Sequence, residues 1–509
     1  MEEDESIANQ NPEEINDSNI NENENENEEE LIEKKKFRNK VLLSIGVFLG
    51  ILIITGIILI LVFLKEKEPI QINYYGIVEG FYGVPWNYEI RADMLKFCGD
   101  YKFNAYIYAP KDDQYHRSKW REPYPEEKIT ELKNLTDIAN ENNVSFIFAI
   151  SPGLDLNYEG EKGEEDYNSM INKIDAMYKI GIKDFAIFFD DLDKEQSGKS
   201  QAKFLNKIQK SLEKKYVDVN PLITVPTQYA RNWMLDKNGN LKTYTKEFSS
   251  TLSKNITVLY TGDKVVCDGI SDESYNAAND IYGRSLGIWW NYPVNDYYYV
   301  EPNRSIKLAL GPIEKLPKKI PKSIFFNPMQ QPLLSKISLA TGADYIFSND
   351  TYDPINSWNK AIEKQFGELA APMKVFASHS QHMEFKSCEC GPADAPEFYS
   401  MAHQAITDTK EGKNVDFTEL NKTINEMINS ADTLLDKLPS NILNESHLML
   451  EQFKRIANAD LIAMQSLMNN KSNSELKNLY QDIKNNESKA MVSELSGVLF
   501  IDEVIQFFG

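Results

Sequence analysis

Two adjacent carboxylates, Asp190 and Asp191, stand where an apolar run, FAIFFDDLD at residues 185–193, passes into polar chain. Such a pair can do general acid and base work, because two carboxyls in contact resist double ionisation and one keeps a proton near neutral pH. The largely apolar residues ahead of them suit a strand buried on both faces, as in a parallel sheet, and α/β folds build their sites at the carboxyl ends of such strands. Neighbouring strand residues point to opposite faces, so both side chains reach one pocket only if the strand stops and the backbone turns between them. An Asp-rich turn or a helix N-cap accounts for the same string, and Asp193 is read that way.

The elements that would hold this pair form a repeating series of strand, loop and helix. Candidate strands lie at 74–81, 104–110, 144–151, 184–190, 222–227, 256–262, 286–291 and 323–328, with helical stretches such as 167–180 and 200–216 between them. This series predicts a (β/α)8 TIM barrel over residues 74–369. A doubly wound open sheet is the competing arrangement, but no glycine-rich phosphate fingerprint follows the first strand. From about residue 370 strand signals disappear and amphipathic runs such as 414–438 predict an all-α helical bundle over 370–509.

Polar and aromatic residues collect at the carboxyl ends of the proposed strands. Gly80, Phe81, Tyr82 and Gly83 follow the first, Lys111, Asp112 and Asp113 the second, Tyr229 the fifth, and Thr261 and Gly262 the sixth. Trp289, Asn291, Asp296 and Tyr297 follow the seventh, and Asn327 the eighth. Carboxylates and amides match neighbouring sugar hydroxyls, and an aromatic face packs on the apolar side of a pyranose. Each residue also has a plainer use: Lys111 pairing with Asp112 or Asp113, Asn327 capping a turn before Pro328, Trp289 or Trp290 filling core.

The net charge of -22 is uneven, because residues 1–30 hold 13 acidic residues and no Lys or Arg, which leaves -9 for the rest. Residues 1–40 therefore read as a disordered acidic tail, and the acidic balance excludes a nucleic-acid partner. Residues 41–64 are an uncharged apolar stretch of 24, long enough for a transmembrane helix, with 65–73 as a linker to the barrel. Lys34, Lys35, Lys36, Arg38 and Lys40 precede the span, so the positive-inside bias predicts a cytosolic amino terminus and a catalytic domain outside the cell or in a lumen. Sequons at Asn134, Asn143, Asn255, Asn303, Asn349, Asn421 and Asn444 fit that side. Four Cys do not make a disulfide scaffold, although Cys388 and Cys390 leave one local bridge open. Five His without zinc-type spacing predict no metal, and nothing in the sequence asks for a cofactor.

The strings GIVEGFYGVPW (76–86), YAPKDDQYHR (108–117), AISPGLD (149–155), FAIFFDDLD, VPTQY (225–229), YTGDKVV (260–266), IWWNYPVNDY (288–297), ALGP (309–312) and FFNP (325–328) resemble the glycoside hydrolase family 84 enzymes. These are the β-N-acetylglucosaminidases that include O-GlcNAcase and the bacterial enzymes once called hyaluronidases. The resemblance spans about residues 74–365, and the helical tail resembles the domain that follows the barrel in bacterial members. It implies a retaining exo-enzyme that removes terminal β-linked GlcNAc from glycans or glycoproteins by substrate-assisted catalysis, without metal or cofactor. Asp190 matches the carboxylate that holds the acetamido N–H, and Asp191 the acid and base. Tyr229 matches the group orienting the acetamido carbonyl, and Trp289 the wall of the acetyl pocket. Gly80, Lys111, Asn291, Asp296 and Asn327 match positions that hold sugar hydroxyls, and Tyr297 another site aromatic. An anchor stands where bacterial members carry an α/β domain, Gln228 replaces a usual Glu, Phe326 a usual Thr, and residues 378–396 follow no family pattern. A silent glycan-binding protein and an endo-acting hyaluronidase are the alternatives.

Overall fold

Strand residues that alternate between two apolar environments need a sheet buried on both faces, and a closed barrel surrounded by helices supplies one. The computed structural model describes residues 18–64, 72–192, 196–296, 306–385, 388–492 and 497–509. The chain divides into two compact units, Met1–Pro69 and Ile70–Gly509.

In the first unit a single helix, α1, runs from Ser18 to Leu64. Its segment Glu30–Ile57 is long and apolar enough to cross a membrane. The helix extends back through the basic run into the acidic segment, where Lys34 pairs with Glu30 one turn earlier.

In the second unit β1 (Tyr74–Glu79), α2 (Tyr88–Asp100), β2 (Ala105–Tyr108), α3 (Glu126–Glu141), β3 (Ser145–Ile150), α4 (Gly160–Lys179), β4 (Asp184–Phe188) and α5 (Gly198–Lys215) form the first half of a barrel. The second half is β5 (Ile223–Val225), α6 (Arg231–Met234), α7 (Thr243–Thr251), β6 (Thr257–Tyr260), α8 (Asp272–Tyr282), β7 (Gly287–Trp290), β8 (Ser323–Phe326) and α9 (Pro332–Phe347). All eight strands pair in parallel and in chain order, and β8 closes on β1 with Gly76 opposite Phe325. The eight expected strands are thus all present, with the barrel in place of the open sheet. The helices follow the predicted spacing: Ser197 caps α5 by accepting from Ser200 N, and Phe204, Leu205, Ile208 and Leu212 bury one face.

Beyond the barrel come α10 (Pro354–Phe366), α11 (Ala370–Ser378), β9 (Met383–Phe385), β10 (Cys388–Cys390), α12 (Pro396–Lys410), α13 (Thr418–Lys437), α14 (Ser440–Met468), α15 (Ser474–Asn486) and α16 (Val498–Phe508). This is the expected helical bundle with one correction: β9 and β10 pair as an antiparallel hairpin where no strands were expected. Strands of three residues are too short to show alternation in sequence.

Along β4, Phe185 and Ile187 pack outward against the helical layer, whereas Ala186 and Phe188 fill the barrel interior. Phe188 meets Trp289 edge-on inside the barrel at 5.6 Å. Between β1 and α2, Glu79 at the end of β1 is fully buried and held by Arg91 through Nη2 at 2.8 Å and Nε at 2.9 Å. Tyr106 donates to the same carboxylate at 2.6 Å. Removing one partner strands the other charge in apolar surroundings, so Arg91→Ala costs about 3–5 kcal/mol of stability. Chemical denaturation of the variant checks this, and an unchanged midpoint would take the pair out of the scaffold.

Candidate active site

The in-and-out phase of β4 aims Asp190 into the barrel mouth, two positions after the inward-facing Phe188. Asp191 would point away on a continued strand. The strand instead ends at Phe188, and Asp191 adopts a left-handed backbone with φ 53°, which turns its side chain back to the same cavity. This is the turn that the paired carboxylates require.

The cavity has a volume of about 530 Å³, and its walls include Gly80, Lys111, Asp190, Asp191, Tyr229, Trp289, Asn291, Asp296 and Asn327. Every predicted site residue that the structure describes therefore converges on one hollow, and Tyr297 lies outside the described residues. Tyr82, Thr261, Val265 and Val266 also line it. Gly80 has a steric reason to lack a side chain, since a Cβ there would sit 2.3 Å from the Trp289 ring. A wider hollow of about 860 Å³ shares Val266 but collects lysines and carboxylates without an aromatic wall, so it lacks the makings of a sugar site.

Lys111 pairs with Asp190, and its ammonium lies 3.6 Å from Asp191. It pairs with neither Asp112 nor Asp113. Asp112 instead accepts from Gly83 N at 3.0 Å, and Asp113 from the Tyr108 and Tyr124 hydroxyls at 2.6 and 2.9 Å. Burial opposes the charge on Lys111, yet Asp190 and Asp191 hold its pKa above the ordinary lysine value. Asp191 accepts from Tyr229 OH at 2.7 Å and from Tyr82 OH at 2.8 Å. Burial pushes its carboxyl up, but Lys111, these two hydroxyls and Arg117 outweigh that and hold it below the usual carboxylate range. Lys111 and the two hydroxyls thus favour the ionised form of Asp191.

Asp296 accepts from Tyr82 N at 2.8 Å, and burial raises its pKa to about 6 against the pull of that N–H and of Lys111. At the floor, Trp289 Nε1 and Asn327 Nδ2 both donate to Asn291 Oδ1, at 2.9 and 3.0 Å, and Asn291 donates to Val265 O at 2.8 Å. The Asp190 Oδ1 and Asn327 Oδ1 atoms are buried without a donor among the described residues. Buried acceptors of this kind are costly unless a ligand supplies the hydrogen.

Tyr82 stands among the strand-end residues in sequence without a role of its own. Its place in the GFYG string was visible, but its reach to Asp191 was not. Val265 and Val266 lie at the end of the YTGDKVV string, but valine carries no polar signal that marks a wall residue in sequence. Gln228 lies beside the cavity, in a hollow of about 420 Å³ that it shares with Asp191, Trp233 and Lys242, and accepts from Thr245 at 2.6 Å. Phe326 belongs to the outer layer, where Gly342 leaves room for its ring.

A family model for beta-N-acetylglucosaminidase matches residues 75–378, and one for a hyaluronidase post-catalytic domain-like segment matches residues 400–501. Protein O-GlcNAcase from Mus musculus is 31% identical over 283 residues, which is 54% of this chain but 30% of the mouse protein, and the Rattus norvegicus protein matches equally. The chain thus spans about a third of the length of these relatives. The solved structure of CpGH84B superimposes with a TM-score of 0.79 at 37% identity, covering 86% of this chain and 78% of that one. A mutant of the Thermobaculum terrenum O-GlcNAc hydrolase gives a TM-score of 0.72 at 28% identity, covering 85% of this chain and 94% of that one. With barrel and bundle each matched, in the same order along the sequence, the chain belongs to the β-N-acetylglucosaminidase family.

Proposed function

We propose that this protein is a retaining exo-β-N-acetylglucosaminidase that removes terminal β-linked GlcNAc from glycans or glycoproteins and uses the substrate's acetamido group as nucleophile. The observation that carries this reading is the Asp190 Oδ1 atom, buried without a donor among the described residues on a side chain that lines the cavity, where an acetamido N–H supplies the hydrogen. The acetamido oxygen attacks the anomeric carbon, the glycosidic C–O bond breaks and an oxazolinium ring forms. Asp190 holds the N–H and stabilises the positive charge. Asp191 protonates the departing oxygen, then takes a proton from the water that opens the ring with retention. Tyr229 turns its hydroxyl to the acetamido carbonyl, Trp289 walls the acetyl methyl, and Asn291, Asp296 and Asn327 take the sugar hydroxyls. The hollow beside Asp191, with Trp233 at its edge, is where the aglycone leaves.

Asp191 must gain a proton to act as the acid. A bound sugar takes the Tyr229 hydroxyl away from Asp191 and excludes water, and both changes raise the Asp191 pKa. Activity needs the protonated form, so the basic limb of the pH profile follows this pKa. The limb therefore lies at higher pH in kcat, which reports the complex, than in kcat/KM, which reports the free protein. Coincident limbs would remove this proton uptake from the scheme.

Turnover of 4-nitrophenyl β-GlcNAc beside the matching β-glucoside tests the activity directly. Release from the N-acetyl sugar alone supports the enzyme, whereas release from neither favours a glycan-binding module. The apolar α1 segment carries a single membrane pass, and the lysines ahead of it support a cytosolic amino terminus with the barrel facing outside or into a lumen. Asn134, Asn143 and Asn444 are exposed in this arrangement and open to glycosylation. Endoglycosidase treatment of the cell-expressed chain should increase its mobility, and an unchanged band together with digestion of the barrel by protease added to sealed microsomes would reverse the orientation.

A further inference from the structure

We infer that Glu445, on the bundle helix α14, is a positioning residue for the catalytic rim. The inference rests on the functional reading above and deepens it by giving the bundle a part in the reaction.

Glu445 accepts from Leu333 N through Oε1 at 3.1 Å and from Leu334 N through Oε2 at 3.0 Å. These are two of the unsatisfied amides in the first turn of α9, the helix that follows the β8 rim loop. The helix has Gln331 at its N-cap, with no side-chain hydrogen bond from that cap to the first turn. The bundle therefore supplies the cap that the barrel lacks, and a carboxylate is the favourable charge at that end of a helix.

The two residues just ahead of this turn reach the catalytic residues along two branches. Gln330 Nε2 donates to Tyr82 O at 2.8 Å, and its own carbonyl accepts from Trp86 Nε1 at 3.0 Å. Tyr82 in turn donates its hydroxyl to Asp191 and its N–H to Asp296, each at 2.8 Å. On the second branch Asn295, the neighbour of Asp296, donates to Gln331 Oε1 at 2.8 Å and accepts from Gln330 N at 3.3 Å. Freeing the first turn of α9 thus loosens the one hydroxyl that orients Asp191 from the β1 side and the loop that carries Asp296.

Glu445→Ala, Glu445→Asp and Glu445→Gln in the full chain test this. A coupling carried through packed hydrogen bonds changes rates by between about 2-fold and about 30-fold. The Ala variant should lose kcat/KM in that range on an alkyl β-GlcNAc, whose poor leaving group needs the acid, and less on the 4-nitrophenyl glycoside. Gln, which keeps one acceptor oxygen for one of the two amides, should restore part of the loss. Asp, a methylene shorter, should fall between and remains informative if the Ala variant does not fold. In a Tyr82→Phe background the extra loss on the alkyl substrate should vanish, because the link to Asp191 is already cut. Glu451→Ala on the same helix should leave both rates unchanged. An Asp or Ala variant with wild-type kinetics, or an equal loss with and without the Tyr82 hydroxyl, overturns the inference while the activity stands. A wild-type chain that releases no sugar overturns the functional reading itself.

Discussion

Asp191→Asn should slow hydrolysis of an alkyl β-GlcNAc by roughly 10²- to 10⁴-fold, the worth of a positioned proton donor, while losing far less on the 4-nitrophenyl glycoside. The asymmetry follows from chemistry. A nitrophenolate departs with little help, whereas an alkoxide must be protonated as the C–O bond breaks. Tyr229 and Tyr82 now donate to the two Asp191 oxygens at 2.7 and 2.8 Å; Asn accepts from one hydroxyl through Oδ1 and donates to the oxygen of the other through Nδ2, so the rim keeps its contacts while the acidic proton is lost. Rates measured across a series of leaving groups give the answer. Equal losses on good and poor leaving groups would take the acid role from Asp191.

Asp190→Asn should instead depress every N-acetyl substrate alike, by roughly 10²- to 10³-fold, the cost of removing one preorganised group aimed at transition-state charge. Its carboxylate is nearly buried beside Lys111, where a charge acts at short range in a low dielectric. The loss belongs to ring closure, which precedes any dependence on the aglycone. Steady-state rates on the same leaving-group series separate the two aspartates, and wild-type turnover by the Asn variant would exclude Asp190 from the mechanism.

Much of this arrangement was legible in the sequence because buried strands and loop residues leave different marks. All eight strands could be read, yet each observed strand stops short of its apolar run. The fifth shrinks from 222–227 to Ile223–Val225, because the residues after it leave the ladder to build the rim that ends in Tyr229. The adjacency of Asp190 and Asp191 carried its own structural condition, and the φ of 53° at Asp191 meets it. What could not be read were contacts made across long stretches of chain. Lys111 matches a sugar-binding position in sequence, and only folding reveals that it sets one positive charge against both aspartates. Glu445 looks like any polar residue on an amphipathic helix, since its partners are backbone amides more than a hundred residues away. The wall valines and the three-residue strands of the hairpin give no pattern that distinguishes them from core and loop.

The proposed mechanism makes the acetamido oxygen of the sugar the nucleophile. Rates on 4-nitrophenyl glycosides whose N-acetyl group carries none, one, two or three fluorines test it most directly, because fluorine withdraws electrons from that oxygen and leaves the aglycone untouched. With the acetamido oxygen as nucleophile, kcat/KM falls with every fluorine added. A rate indifferent to fluorination would contradict it and assign the attack to the protein or to water.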